Sequence, residues 1–363
     1  MDVAIIGLPQ SGKTTLFNAL TRGRASTVGS RGLGNEAHVG VAKVADPRLD
    51  VLAEMYRPEK VVPAEIRYLD IPGTESSARA QGMAGRTRNT LQGIDTLLLV
   101  VRAFTNPAVP HPRGSVEPSR DLVEMLDELT LADLEVLERA AERLTDQLKK
   151  SRVAERPSLA PQFETIQKVK EGIESGVPVR RQHLAASESG FIAGYQLLGA
   201  KPVLVAFNRD ETGPELLLSQ VGPGQERAIG LGEVSLCAKL EADLAQMPDG
   251  EASEYRRELG LGASALSKVV AVSYELLGLV SFLTVGDDEV RAWSVPAGTT
   301  AQQAAGAVHS DFQKGFIRAE VIHFNDLARC GSIAQGRREG VLRSEGKSYP
   351  VKDGDVIDFL VNP

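Results

Sequence analysis

The chain has little cysteine: only Cys237 and Cys330 in 363 residues. They stand far apart and in no metal-ligand spacing. This scarcity argues against a disulfide framework and against a zinc site, and it fits a reducing compartment. Charged residues make up 25% of the chain and apolar residues 42%, which are ordinary values for a globular protein of two or three domains.

The chain also lacks long apolar runs and an excess of positive charge. No run approaches membrane-spanning length, and the N-terminal segment 1–7 is too short and too acidic for a secretory signal. We therefore expect a cytoplasmic protein with no membrane partner. Because the net charge is −7, there is no bulk basic field for nucleic acid. An RNA-bearing partner would have to bind a local patch.

A phosphate-binding pattern lies near the N-terminus. Residues 7–14 read Gly-Leu-Pro-Gln-Ser-Gly-Lys-Thr, between an apolar run that predicts a buried parallel strand and a segment that predicts an amphipathic helix. We expect Lys13 to reach the β- and γ-phosphates, as a catalytic as well as a binding residue, and Thr14 to place its hydroxyl on Mg²⁺. The predicted nucleotide-binding residues of this P-loop are Gly7, Gln10, Ser11, Gly12, Lys13, Thr14 and Thr15.

A second part of the predicted metal site lies at Asp70. The strand-like segment 66–70 ends in Asp70-Ile71-Pro72-Gly73, with a carboxylate at the strand tip and a glycine three residues on. Alone this pattern is usually just a turn. Downstream of a P-loop, it predicts that Asp70 holds Mg²⁺ through water and that the Gly73 N–H senses the γ-phosphate. The expected substrate is ATP or GTP, with Mg²⁺ as cofactor.

Helical periodicity follows the predicted nucleotide-binding strands. A long helix is predicted from Pro118 to about Ser151, with Ser119 as its N-cap. Apolar residues recur in it at spacings of three and four, as in a short coiled coil. A turn over 154–161 then leads into a returning helix. The seam residues are Leu134, Leu137, Ala141, Leu144 and Leu148.

From about Leu283 the sequence becomes rich in short strands with one helix. The chain therefore predicts an α/β fold with three parts. They are a doubly wound P-loop domain of residues 1–117 and 188–282, an inserted helical coiled-coil hairpin of residues 118–187, and a β-rich module of residues 283–363.

Two predicted strand tips should face the nucleotide base, because ligands bind at the carboxyl ends of strands in a doubly wound sheet. One is Asn208-Arg209-Asp210-Glu211, and the other is a predicted loop, Cys237-Ala238-Lys239. GTPases read guanine with Asn-Lys-x-Asp. Glu211 is one methylene longer than that aspartate, which should remove guanine preference and favour adenine. The alternative is that Asp210, one place early, serves a shifted guanine site.

With these motifs in place, the chain resembles the Obg-like ATPases of the YchF type, a branch of the translation-factor-related P-loop GTPases. The resemblance covers almost the whole chain. It is most specific in the C-terminal module, where segments such as 289–293, 314–320 and 346–349 look like a TGS domain, a ubiquitin-like β-grasp fold. The family places a coiled-coil domain between its G-domain strands. The resemblance also implies ribosome binding and a role in stress responses.

His111 lies in the proline-rich loop 104–117, and composition alone predicts a solvated loop histidine. The family's loop histidine matches this position, so the resemblance implies a catalytic role for His111 in positioning the attacking water. The chain departs from the family elsewhere. Thr74 follows Gly73 where the family usually has leucine, and no threonine stands near Gly34 to complete the magnesium site. We therefore expect a divergent member with slow hydrolysis.

Two functions of different classes remain open on the sequence. The first is an ATP- or GTP-hydrolysing switch that docks on the ribosome, and the presence of Lys13, Thr14 and Asp70 favours it. The second is a nucleotide-binding regulatory scaffold with negligible turnover, whose hairpin and β-grasp module recruit a protein partner. The absence of a threonine near Gly34 favours this second function. Ribosome association would use local basic clusters, for which the candidates are Arg337, Arg338, Arg343, Lys149, Lys150 and Arg152.

Overall fold

The computed structural model describes residues 1–23, 38–71, 85–152, 156–221 and 230–362. The chain divides into two compact units. The first unit comprises residues 1–41 and 67–273, and the second comprises residues 42–66 and 274–363.

The strands and helices alternate through the first unit, and the second unit is richer in strands. The strands are β1 (Asp2–Ile6), β2 (His38–Lys43), β3 (Lys60–Val62), β4 (Glu65–Asp70), β5 (Thr96–Ala103), β6 (Val203–Arg209), β7 (Leu231–Leu236), β8 (Leu279–Val285), β9 (Glu289–Pro296), β10 (Phe316–His323), β11 (Arg343–Glu345) and β12 (Asp355–Val361). The helices are α1 (Lys13–Thr21), α2 (Pro47–Tyr56), α3 (Gly85–Gln92), α4 (Pro118–Lys150), α5 (Arg156–Glu174), α6 (Ala186–Ala193), α7 (Leu218–Val221), α8 (Ala238–Ala245), α9 (Asp249–Glu258), α10 (Ala265–Leu276), α11 (Ala301–Val308), α12 (Ser310–Lys314), α13 (Phe324–Cys330) and α14 (Ile333–Arg338). Across the described ranges, none of these helices combines the length and the apolar character that crossing a bilayer requires.

The first sheet has the strand order β2-β4-β1-β5-β6-β7. Strand β1 is parallel to both β4 and β5, and the parallel pairing continues through β6 to β7. These strands are apolar because both faces of the sheet are covered, and residues 203–207 are completely buried. Since parallel strands end at the same edge, the segments that follow β1, β4, β5 and β6 are brought together there. The doubly wound α/β prediction is confirmed.

Helices α4 and α5 form the predicted hairpin. Its apolar interface joins Leu137, Ala140, Ala141 and Leu144 of α4 to Ile166, Val169 and Ile173 of α5. Two details of the prediction are wrong. The N-cap of α4 is Glu117, with Pro118 at the first helical position, because the fixed φ of proline and its missing N–H suit that position better than an interior one. Residues 156–161, expected as a turn, belong to α5.

The second unit is built on a mostly antiparallel sheet in the order β11-β10-β12-β8-β9-β3. Strands β8 and β9 form a hairpin, β10 pairs antiparallel with β12, and β12 runs parallel to β8. Helix α11 contributes Ala301, Ala304 and Ala305 to a core that contains Phe282 and Phe359. Small residues on that helix face allow the helix to approach the sheet closely. This is the β-rich module that the sequence predicted.

Residues 42–66 belong to the second unit, although we expected them in the nucleotide-binding domain. Strand β3 pairs in parallel with β9. Leu49 and Leu52 of α2 are buried in one core with residues of β8, β9 and β10. Arg48 Nη1 lies 2.7 Å from Asp353 Oδ2. The sequence could not reveal this assignment, because it depends on pairing between strands that are far apart in the chain.

Candidate nucleotide-binding site

Two glycines shape the loop between β1 and α1. Gly7 and Gly12 have φ angles of +148° and +96°, which L side chains rarely adopt. A Cβ on Gly7 would overlap the carbonyl oxygen of Val100, and a Cβ on Gly12 would overlap the side-chain amide of Asn208. The loop therefore packs against β5 and β6 too closely for larger residues. Its backbone can approach an anion at the N-terminus of α1.

Lys13 lies at the start of α1 with its side chain folded over the loop. Its Nζ donates to the carbonyl oxygens of Gly7 at 3.0 Å and Leu8 at 2.9 Å. Burial lowers the pKa of Lys13 to about 8, and the nearby Asp70 carboxylate opposes this shift. The ammonium is thus held by neutral carbonyl groups, which an anionic phosphate would replace as a stronger partner.

Thr14 and Asp70 meet as the metal prediction requires. The Thr14 hydroxyl donates to Asp70 Oδ2 at 2.7 Å, and Asp70 Oδ1 is buried without a hydrogen-bond partner in the described structure. A buried oxygen that lacks a donor suits a divalent cation or its bound water. Over the described ranges, no three His, Cys, Asp or Glu residues are grouped to hold a metal by themselves. A cation at Thr14 and Asp70 would therefore also need oxygen ligands from water or phosphate.

Some predicted residues fall outside the described chain. Gly73 and Thr74 lie in the range 72–84, and Gly34 lies in the range 24–37. The predicted sensing of the γ-phosphate by Gly73 therefore stays a prediction. In the described part of the P-loop, Gln10 and Thr15 are exposed, and Ser11 is buried.

Asn208, at the end of β6, connects the P-loop to α8. Its Nδ2 donates to the Ser11 carbonyl oxygen at 2.9 Å, and its Oδ1 accepts the Ala238 N–H at 2.9 Å. The two predicted base-contacting segments thus lie beside the phosphate loop. One expectation is wrong: Ala238 and Lys239 begin α8 instead of a loop, with Cys237 as N-cap. The helix starts there because α8 buries one face that includes Ala238.

The turn after β6 presents one free carboxylate. Nη1 of Arg209 lies 3.0, 3.1 and 2.7 Å from the carbonyl oxygens of Asp210, Glu211 and Gly213. Asp210 Oδ2 accepts the backbone N–H and the hydroxyl of Thr105 at 3.2 and 3.1 Å. The Glu211 side chain is exposed and has no hydrogen bond or ion pair with any described residue. The alternative role for Asp210 therefore gains no support from this geometry.

His111 is buried, so the expectation of a solvated histidine is wrong. Its side chain is 3% exposed, and Nε2 lies 2.8 Å from Asp121 Oδ2. The two atoms are not aligned for a linear hydrogen bond. On the other side of the ring, Nδ1 accepts the Arg113 N–H at 3.1 Å. Both ring nitrogens therefore face protein atoms, and water positioning by His111 stays a prediction that requires the ring to leave Asp121.

Arg102 and Phe104 also lie at the site, and neither was predicted from the sequence. Arg102 lies at the end of β5 and is buried. It donates to the carbonyl oxygens of Phe104 at 3.2 Å and Val109 at 2.7 Å, and its guanidinium lies 4.4 Å from the centroid of the Phe104 ring. A Cβ on Gly12 would reach the edge of that ring at 4.0 Å. Phe104 therefore lies beside the P-loop. The available signal was an arginine at the end of an otherwise apolar strand.

The parallel sheet, the P-loop and the paired Thr14 and Asp70 define a P-loop nucleoside triphosphatase fold. Residues 2–139 match the family model described as a 50S ribosome-binding GTPase. Residues 279–362 match the YchF-GTPase_C model, described as a protein of unknown function.

Full-length relatives narrow this class to one family. A protein of Escherichia coli O157:H7 named Ribosome-binding ATPase YchF is 37% identical over 99% of this chain and 98% of its own length. The Bacillus subtilis (strain 168) protein of the same name is 35% identical over 100% and 99%. The solved structure of the Schizosaccharomyces pombe YchF GTPase, at 28% identity, has a TM-score of 0.86 and covers 99% of this chain and 97% of that chain. The chain belongs to the YchF family.

Proposed function

We propose that this protein hydrolyses ATP to ADP and phosphate with Mg²⁺, slowly, and that it acts as a cytoplasmic switch associated with the ribosome. The observation that carries the proposal is that Lys13, the Thr14–Asp70 pair and Asn208 lie together at one edge of the sheet. A GTP-binding protein and a scaffold with negligible hydrolysis are the alternative functions.

The roles of the phosphate-site residues follow from their chemistry. Lys13 would exchange its two carbonyl partners for the β- and γ-phosphate oxygens. Thr14 and Asp70 would hold Mg²⁺, through the hydroxyl and the unpartnered Oδ1. Bound Mg²⁺ supplies positive charge against the phosphates. Gly73 would contribute its N–H to the γ-phosphate.

Preference for ATP over GTP rests on Glu211. The Asp210 carboxylate is taken by Thr105, so Glu211 is the acid that remains for the base. Its extra methylene misaligns it with the two guanine donors, and unmatched buried donors cost about 1–3 kcal/mol each. Asn208 and the start of α8 would border the adenine ring. If Asp210 instead left Thr105, the same turn could serve GTP.

The proposal of slow turnover depends on which side chains can position the attacking water. Efficient GTPases place a glutamine after the Asp-x-x-Gly element, and this chain has Thr74 there. His111 is the proposed replacement, yet it is packed against Asp121. Hydrolysis would therefore wait for movement of the loop that carries His111.

The proposed association with the ribosome is supported by the names of the relatives, which are called ribosome-binding ATPases. The predicted basic clusters are partly engaged by acids. Arg337 pairs with Glu320 at 2.6 Å, Arg343 lies 3.4 Å from Glu345, and Lys149 lies 3.8 Å from Asp146. The basic side chains of these pairs are exposed, and ion pairs at a protein surface contribute little, so an RNA phosphate could replace the acids. The hairpin and the β-grasp module could also bind a protein partner.

Phosphate release from Mg²⁺-ATP, with and without purified ribosomes, tests the proposal. We expect slow release by the wild type, stimulation by ribosomes, and loss of release in Lys13→Ala. Lys168→Ala, which removes an exposed lysine of the hairpin, is the matched control and should keep the wild-type rate. If wild type and Lys13→Ala release phosphate equally, the activity belongs to a contaminant and the scaffold function gains support.

A further inference from the structure

The turn after β6 depends on one side chain. Residues 210–213 form a turn that is closed by a backbone hydrogen bond from the Gly213 N–H to the Asp210 carbonyl oxygen at 3.1 Å. The Arg209 guanidinium lies inside this turn, within hydrogen-bonding distance of three of its carbonyl oxygens. All three contacts are made by one nitrogen, Nη1, whose two hydrogens are shared among the three carbonyl oxygens.

The same turn is held from outside by Thr105. Its backbone N–H and its hydroxyl both donate to Asp210 Oδ2. The contacts of Arg209 and Thr105 give the carboxylates of Asp210 and Glu211 different environments. The Asp210 carboxylate is turned toward the loop that follows β5, and the Glu211 carboxylate stays exposed. Within the described ranges, Arg209 forms no ion pair with an acid. Its guanidinium instead donates to the carbonyl oxygens of the turn.

We propose that Arg209 is a specificity-determining residue that acts by positioning the turn. Its guanidinium holds the conformation in which Glu211, and not Asp210, is presented to the base. Arg209 stands where Asn-Lys-x-Asp proteins place a lysine, but its contacts here are with its own turn. This inference rests on the proposed preference for adenine. It adds that the preference requires the arginine as well as the glutamate.

The physical reason is a competition between neighbouring acids. Asp210 and Glu211 are adjacent, and a small change of the turn's backbone angles would exchange which carboxylate faces the base. The hydrogen bonds of Arg209 to the carbonyls of both residues oppose that exchange. Without them, Asp210 would compete for the guanine-reading position, and the discrimination between purines would fall.

Binding of ADP and GDP, measured by titration calorimetry with Mg²⁺, tests the proposal because diphosphates separate base selectivity from hydrolysis. Arg209→Met keeps the apolar stem and removes the donors. We expect its preference for ADP over GDP to fall about tenfold relative to the wild type. Arg209→Lys should lie between the two. Arg143→Met, which removes an exposed arginine of α4, is the control and should keep the wild-type ratio.

The outcomes separate this inference from the proposed function. If the wild type prefers ADP and Arg209→Met keeps the same ratio, or weakens both nucleotides equally, the positioning role is wrong while the ATP proposal stands. If the wild type shows no preference for ADP, the ATP proposal fails and this inference fails with it. Should Arg209→Met not fold, as judged by circular dichroism, the ratio measured for Arg209→Lys decides.

Discussion

Position 12 shows how much one missing methyl group can matter. Gly12 has a positive φ, and its α-carbon faces the Asn208 amide so closely that a Cβ would overlap it. Asn208 in turn holds both Ser11 and Ala238. A substitution at Gly12 would therefore disturb both the P-loop and the start of α8, which Asn208 connects.

We predict that Gly12→Ala weakens nucleotide binding by about tenfold or more, because the new methyl group must displace the Asn208 side chain. Gly23→Ala is the matched control. Gly23 also has a positive φ, of +67°, but nothing in the described structure lies within 4 Å of its added Cβ. Both variants introduce backbone strain of about 1 kcal/mol, but only Gly12→Ala also introduces a steric clash, with Asn208. Equal affinities of the two variants for ADP would contradict the role given to Asn208.

At the scale of elements, Asp133 joins α4 to the turn before β6. Its two carboxylate oxygens accept the N–H groups of Leu198 at 2.7 Å and Gly199 at 2.6 Å. Burial raises the pKa of Asp133 to about 6, and these two hydrogen bonds oppose the shift. A buried carboxyl group thus attaches the base of the helical hairpin to the segment that leads into β6.

The raised pKa predicts a pH dependence of stability with a definite sign. From about pH 4 to pH 6 the unfolded carboxyl ionises while the folded one stays protonated, so the free energy of unfolding should fall as the pH rises. The upper limit for two pH units is about 3 kcal/mol. Urea unfolding of the wild type minus that of Asp133→Asn should show this fall. A difference that rises from pH 4 to pH 6 would contradict the assignment.

At the scale of the whole molecule, the two units do not follow the order of the chain. Residues 42–66 leave the first unit, contribute α2 and β3 to the second, and return as β4 toward Asp70. The position of the missing threonine, near Gly34, precedes this excursion, and Gly73, which is expected to sense the γ-phosphate, follows it. The second unit therefore depends on residues that lie between these two positions.

We predict that Leu52→Ala destabilises the second unit by about 2–5 kcal/mol, the usual cost of removing a buried leucine. Leu52 is 0% exposed, whereas its neighbour Val51 is 40% exposed, so Val51→Ala is the matched control and should change little. Trp293 of β9 is the single tryptophan of the chain, so its fluorescence reports unfolding of this unit. An unchanged fluorescence transition in Leu52→Ala would contradict the assignment of residues 42–66.

The phosphate half of the candidate site was predictable from the sequence. The glycines at positions 7 and 12, Lys13 and Thr14 lie within eight residues, and the strand before them and the helix after them are local patterns. The position of Asp70 was also predictable, because a carboxylate at the end of a strand downstream of a P-loop usually lies beside the P-loop threonine. Local backbone requirements leave few alternatives for such a segment.

The base half of the candidate site and the division of the chain depend on contacts between distant segments. Whether Asp210 or Glu211 is free depends on Thr105, more than a hundred residues away. The burial of His111 depends on Asp121, and the placement of residues 42–66 depends on β9. Each of these outcomes depends on a contact between two segments, and no periodic pattern in the sequence indicates which segments will pair. Side-chain partners across a fold are selected by packing and hydrogen-bond satisfaction, which exist only once the segments have met.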